Sequence, residues 1–272
     1  MKEFVRTGEG EVSHYNEVAR SEAKFAELLG RVSRVQSSGD AWGVSDKWLD
    51  TPFDSVAQAE VYEHVGLRLV DGDVLQVGGT GLFALKAIVG GARAATLLSP
   101  SQGEVDLTKS VASELGLSDR LTALVGFGES IPFAESSFDV AVTEGCLHHM
   151  DVAAASQEFA RVLRRDGRFG AFDPWRARMY GVGTKVFGKR DPSVGCIPLD
   201  SERVAGFHSS FQQTSIRRHG AVVRYPAVAA NKLGIPVSRQ AAHWLTEWDD
   251  VVFGRFGWAQ RNGSSAALLA VK

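Results

Sequence analysis

Residues 21 to 36, SEAKFAELLGRVSRVQ, set Phe25, Leu28, Leu29, Val32 and Val35 at helical spacing behind Ser21, whose hydroxyl can cap a first turn. The pattern predicts an amphipathic helix. A stretch rich in Ser, Gly and Asp follows, and helical spacing resumes from about Ser55 to Leu69. From Asp73 the texture changes to short apolar runs separated by helical segments: VLQVG (74–78), AATLLS (94–99), LTALVG (121–126), FDVAVTEG (138–145) and GRFGAFD (167–173). Runs of this kind suit strands covered on both faces, and repeated β-α-β order with right-handed crossovers predicts that all five lie parallel.

Between the last two runs, AAASQEFARVLRRDG reads as a helix capped by Asp151, with Phe159, Val162 and Leu163 on one face and Gly167 just past its end. After Asp173 the period weakens, and the aromatic, Pro- and Gly-containing stretch that follows reads as either a cap or a long insertion. The end, SSAALLAVK, reads as a last strand. The expected organisation is an N-terminal helical segment (1–60) able to fold over a core (61–174), a cap or substrate-binding insertion (175–240), and C-terminal strands completing the sheet (241–272).

Composition narrows the function classes. Of 272 residues, 44% are hydrophobic and 23% charged, the balance of an ordered globular protein. The net charge of −2, without a run of Lys and Arg, argues against a nucleic-acid partner and for a small neutral or mixed-charge substrate. No apolar stretch reaches the roughly 20 residues that span a bilayer, and the first residues lack the apolar core of a signal peptide, so a cytoplasmic protein without a membrane partner is expected. Cys146 and Cys196 have neither the number nor the spacing for a disulfide framework or zinc cage; both are read as reduced thiols, and no metal is expected. A homodimer is left open.

The first strand runs into VLQVGGTGLFALKAI, where Gly78, Gly79 and Gly81 precede a helix starting near Leu82. Glycine admits positive φ and lets a ligand lie against the backbone, and the amides opening the helix favour negative charge. By itself the turn is either a tight connection or a nucleotide-binding loop. Its place at the carboxyl end of a parallel strand favours the second.

The order of VLQVGGTG, GESIPFAESSFDVAVTEGCLHHM and EFARVLRRDGRFGAFD resembles the small-molecule class I methyltransferases over roughly residues 55 to 175. There a glycine-rich turn is followed by an E-S-L-P-F segment, an S-F-D-V strand, an L-H-H turn and an A-R-V-L-R-P-G-G helix end. The resemblance implies a Rossmann-like α/β fold, with a seven-stranded, mostly parallel sheet, an antiparallel last strand and helices on both faces. It also implies S-adenosylmethionine as cofactor, held by Gln76, Gly78, Gly79, Gly81, Ser99, Phe127, Gly128, Glu129 and Glu144, and S-adenosylhomocysteine as product. Three acids usual in that family are replaced here: Gln76 stands at the end of the first strand, Ser99 at the end of the second with Glu104 beyond it, and Phe127-Gly128 where Asp-Ala is common. Either the pocket has drifted and still works, or it serves another ligand.

Glu144, His148 and His149 fall at the end of the fourth strand, where this resemblance puts the reacting methyl. A histidine titrating near neutrality can act as general base, which is the role expected of His148, with Glu144 orienting it or accepting a proton. Adjacent histidines in an extended turn point apart, so one of the pair is expected to face the pocket. His149, Asp173, Trp175 and Tyr180 are candidates for substrate contact; further aromatics such as Phe207 and Phe211 either wall a pocket or form the core of the cap. The implied activity is methyl transfer to an O, N or C atom of a small metabolite. The alternative is a cyclase, lyase, isomerase or non-catalytic partner built on the same fold.

Overall fold

The computed structural model describes residues 2–38, 44–45, 47–177, 197–223, 226, 229–230, 233–256 and 262–272. Its seven strands are β1 (Asp73–Val77), β2 (Ala94–Ser99), β3 (Leu121–Val125), β4 (Phe138–Glu144), β5 (Leu163–Pro174), β6 (Gln213–His219) and β7 (Ser265–Val271). They form one sheet in the order β3-β2-β1-β4-β5-β7-β6. The first five are parallel and β7 runs antiparallel to both β5 and β6, the fold class implied by the motif order.

Helices cover both faces: α1 (Lys2–Ala19), α2 (Glu22–Ser38), α3 (Ser55–Gly66), α4 (Leu82–Val89), α5 (Gln102–Glu114), α6 (Val152–Val162), α7 (Ala205–Ser210) and α8 (Arg239–Phe253). The strand period divides the core in two. Ala267 and Leu269 of β7 pack with Val61 and Val65 of α3 and Phe83 of α4, whereas Ala266, Leu268 and Ala270 face Phe159 of α6 and Phe207 of α7. On the second face Phe159, Phe169, Phe207 and Phe211 form an aromatic cluster, with neighbouring centroids 4.5, 4.9 and 5.5 Å apart. Phe207 and Phe211 are therefore core.

Ser21 accepts from the Lys24 N–H, and Asp151 accepts from the N–H groups of Ala153 and Ala154, so both expected caps are present. The helix after Asp151 ends earlier than its apolar pattern suggests. It stops at Val162, and Leu163, expected on its buried face, opens β5 opposite Phe138. Arg164 to Gly167 then bulge from the β4 register, with Asp166 at φ +60° and its N–H bonded to the Lys272 carbonyl. Gly167 thus lies inside the strand and does not close a helix. Further elements lay outside the sequence reading: α1; β6 and α7, which fall within the stretch read as a cap; and α8, a helix where strands were expected from 241 on, so that β7 is the one strand among the described residues of that stretch. No helix among the described residues is long and apolar enough to cross a membrane.

Candidate functional site

At the carboxyl ends of β1, β2, β4 and β5 lies a cavity of about 1570 Å³. That exceeds the roughly 300–1,000 Å³ of a usual small-molecule pocket. Its floor is Gln76 to Thr80, one wall runs from Phe127 to Glu129, another from Glu144 to Met150, and Phe172 to Pro174 close it below. The roof is the N-terminal segment, through Tyr15, Asn16, Lys24, Arg31, Asp50 and Gln58.

Polar contacts hold that roof down. Asn16 Oδ1 accepts from Ser101 Oγ at 3.0 Å and from the Gly103 N–H at 2.7 Å. Lys86, fully buried in α4, donates to the Trp48 carbonyl and is paired with Asp50. Burial pulls the Lys86 pKa down, against the opposing pull of Asp50. Gln58 accepts from the Asp50 and Thr51 N–H groups and donates to the Tyr62 hydroxyl, which itself donates to Glu144 Oε1 at 2.6 Å.

The turn after β1 has φ of +81° at Gly78, +73° at Gly79 and +72° at Gly81, a conformation that excludes most side chains. The three glycines serve different ends. Gly78 and Gly79 line the cavity, and a β-carbon on Gly79 would meet nothing nearer than Gln76 Nε2 at 3.6 Å. Gly81, expected at the cofactor, instead packs on α5: a β-carbon there would sit 2.3 Å from Thr108 Cγ2. Gln76 lines the floor with its amide already engaged, Oε1 accepting from the Ala84 N–H and Nε2 donating to the Gly78 carbonyl.

At the end of β2 the side chain on the wall is Glu104. Ser99 is fully buried behind it and donates to Glu104 Oε2 at 2.6 Å. Glu104 is 6% exposed, and burial raises its pKa against the Ser99 hydrogen bond. Ser101 caps α5 by accepting from the Glu104 N–H. The Ser-x-x-Glu spacing of a capping box was thus legible, and it is the signal that could have marked Glu104. Phe127 is 58% exposed and lines the cavity; Gly128 lies where a β-carbon would strike Met150 Sδ at 2.7 Å; Glu129 accepts from the Asp151 N–H.

His148 and His149 lie in a 3-10 turn (Leu147–His149). Successive side chains there are not alternated as in extended chain, so the rings lie side by side, tilted by 41° with centroids 3.8 Å apart, and both histidines line the cavity. The expectation that the pair points apart is corrected accordingly. His148 is buried, its Nδ1 lies 2.7 Å from Asp173 Oδ1, and its backbone N–H donates to the same oxygen. Arg203 secures the turn by donating to the His148 and Met150 carbonyls. Glu144 is half-buried, and burial pushes its carboxyl up to about 7 despite the Tyr62 hydrogen bond and the Lys86 charge. Cys146 donates to the Glu144 carbonyl.

Asp173 thus lines the site and holds the His148 ring. Trp175 does not: it is 3% exposed, packs in the aromatic half of the core beneath the Arg218 guanidinium, and is absent from the cavity wall. Tyr180 lies outside the described residues. Among the described residues no cluster of His, Cys, Asp and Glu has metal-binding geometry.

These residues fit an adenosyl cofactor in two respects: the Gly79 backbone is open to a ligand, and the Glu104 carboxylate faces the cavity one turn into α5, where ribose hydroxyls need an acceptor. Residues 75–171 match the family described as methyltransferase domain. The chain is similar to the uncharacterized methyltransferase YcgJ of Bacillus subtilis, 41% identical over 66 residues, which is 24% of this chain and 26% of that protein. It therefore spans about a quarter of that curated relative. Among solved structures it is similar to the [4+2]-cyclase SpnF, at a TM-score of 0.54 with 21% identity over 90% of this chain and 92% of that one. Geranyl diphosphate C-methyltransferase from Streptomyces coelicolor A3(2) superposes with a TM-score of 0.57 and 16% identity over 80% of this chain and 76% of that one. Glycine turn, strand order and motif match agree: residues 75–171 match the methyltransferase domain family, and the chain has the class I methyltransferase fold.

Proposed function

We propose that this chain binds S-adenosylmethionine and uses it to methylate a small molecule at an O, N or C atom. The observation that carries this reading is Glu104, a buried carboxylate on the cavity wall just past β2, where the motif reading puts Ser99 with Glu104 beyond it. Glu104 would receive the ribose hydroxyls, Phe127 would lie against the adenine, and Gly78 and Gly79 would leave room for the remainder. The cofactor, when bound, supplies a methyl group made electrophilic by its sulfonium. Support also comes from the geranyl diphosphate C-methyltransferase, which was solved with S-adenosyl-L-homocysteine.

The chain's own work is then alignment and proton handling. Asp173 fixes the His148 ring through Nδ1, so Nε2 is the atom that takes a proton from an acceptor O–H or N–H, a role worth typically about 10²- to 10⁴-fold. The roof of α1, α2 and the Asp50 loop covers part of the cavity and would hold the acceptor in line, as a single-displacement reaction requires. Native mass spectrometry at micromolar cofactor is expected to show one bound S-adenosylmethionine, lost in Gly79→Val. A second reading, a methyltransferase fold that transfers no methyl group, is favoured by one observation: Gln76 spends its amide on the turn and offers no charge to a cofactor amine. An adduct of another mass, with no cofactor uptake, would select it.

A further inference from the structure

We propose that the small molecule bound beside His148 carries a protonated amine, received by Asp173 Oδ2 and the Glu144 carboxylate. The inference rests on the reading of this cavity as an acceptor site and names the class of molecule it takes. Glu144 pairs in register with Phe172, so it and Asp173 come from adjacent strand ends, and both line the cavity. Asp173 is 2% exposed, and its two oxygens are treated differently. Oδ1 accepts both the backbone N–H and the ring of His148, whereas Oδ2 is buried with no donor from the protein. A buried carboxylate oxygen without a donor is costly, and a ligand that brings a donor removes that cost.

The surrounding charge favours a cation over a neutral donor. The Lys and Arg side chains among the described residues of the cavity wall are Lys24 and Arg31, both paired with Glu27, at 3.0 and 2.7 Å; His148 and His149 line it as well. At the His148 end an ammonium group would meet two carboxyl groups, which a carboxylate or phosphate would oppose. Burial pushes the Glu144 carboxyl up to about 7, so a cation beside it favours the ionised form. Phe127, Met150, Phe172 and Ile197 supply apolar wall for the rest of the molecule.

The test uses three probes of one shape, phenylbutylamine, phenylbutanol and phenylbutyrate, titrated by protein-observed NMR with and without saturating S-adenosylhomocysteine. The amine is expected to bind about tenfold more tightly than the alcohol, and the acid more weakly than either. In Asp173→Asn the amine should fall to the level of the alcohol while the alcohol is nearly unchanged, and Glu144→Gln should reduce the same preference. Equal binding of alcohol and amine by the wild type, or an amine preference intact in both variants, would overturn the inference; near-ultraviolet circular dichroism confirms that each variant is folded. Calorimetric silence toward S-adenosylhomocysteine with the amine preference intact would remove the cofactor reading alone. Cofactor binding without the preference would remove this inference alone.

Discussion

The Tyr62 hydroxyl donates to Glu144 Oε1 across 2.6 Å, joining a helix of the N-terminal segment to the strand end where the candidate chemistry lies. Tyr62 is fully buried, with its ring 5.3 Å from that of Phe83. Tyr62→Phe keeps this packing, removes the bond that restrains the Glu144 pKa, and leaves Gln58 Nε2 without its acceptor. The expected cost is about 1–2 kcal/mol. Its pH dependence has a definite sign. Glu144 sits at about 7 in the folded protein, above its ordinary value of 4.5, so its protonated form favours folding and that stability is lost as pH rises through 7. The variant raises the folded value further, so urea unfolding should show a larger deficit at about pH 8 than at about pH 5. An equal deficit at both would mean that the hydroxyl does not act on Glu144.

A second titrating group lies away from the cavity. His219 on β6 is held between Asp250 Oδ2 at 2.7 Å and Glu60 Oε2 at 2.9 Å, tying β6 to α8 and α3. Burial lowers its pKa, but the two carboxylates outweigh it and raise the ring to about 9 from 6.5. The contribution to stability is therefore complete below about pH 6.5 and is lost as pH rises through about 9, with about 3 kcal/mol as its ceiling. His219→Gln should flatten the stability profile across that window. Wild-type and variant curves that stay parallel there would show the clamp to be inert.

The glycines of the first turn should separate into two kinds. Gly79→Ala incurs the strain of a left-handed residue, about 1 kcal/mol, yet should fold and bind cofactor more weakly, because its methyl enters the cavity. Gly81→Ala carries the same strain and also strikes Thr108, whose hydroxyl is fixed by the Thr80 and Glu104 carbonyls. Its loss should be chiefly in stability, on the order of 2 kcal/mol more than that of Gly79→Ala. Thermal unfolding beside cofactor calorimetry reads both; the reverse ranking would misplace the cavity floor.

Six strands of the sheet were legible because they are apolar on consecutive positions and their turns are punctuated by Gly and Asp, signals that depend on local chemistry alone, whereas β6, QTSIRRH, has no such run. Helix α1 was not, since Gly8 and Gly10 break its pattern and each costs about 1 kcal/mol of helix propensity. The early end of α6 was hidden for another reason: Leu163 satisfies a helical face and a strand equally well, and its pairing with Phe138 decides the matter. His148 and Glu144 were read from their place at and just past the end of β4, and both line the cavity. Tyr62, Gln58, Asp50 and Lys86 were not, because their roles arise from contacts between segments distant in sequence. Trp175 misled because an aromatic residue just past a strand end can face the cavity or the core, and the Arg218 cation stacked on its ring goes with the core.

The most direct test of the account is calorimetry with S-adenosylhomocysteine on wild type, Ser99→Ala and Glu104→Ala. Wild type should bind in the micromolar range, about −8 kcal/mol, with Glu104→Ala weaker by about ten- to a hundredfold and Ser99→Ala by much less, since Ser99 acts through Glu104. Silence at millimolar ligand from folded wild-type protein free of bound ligand would contradict the account, as would undiminished binding by Glu104→Ala.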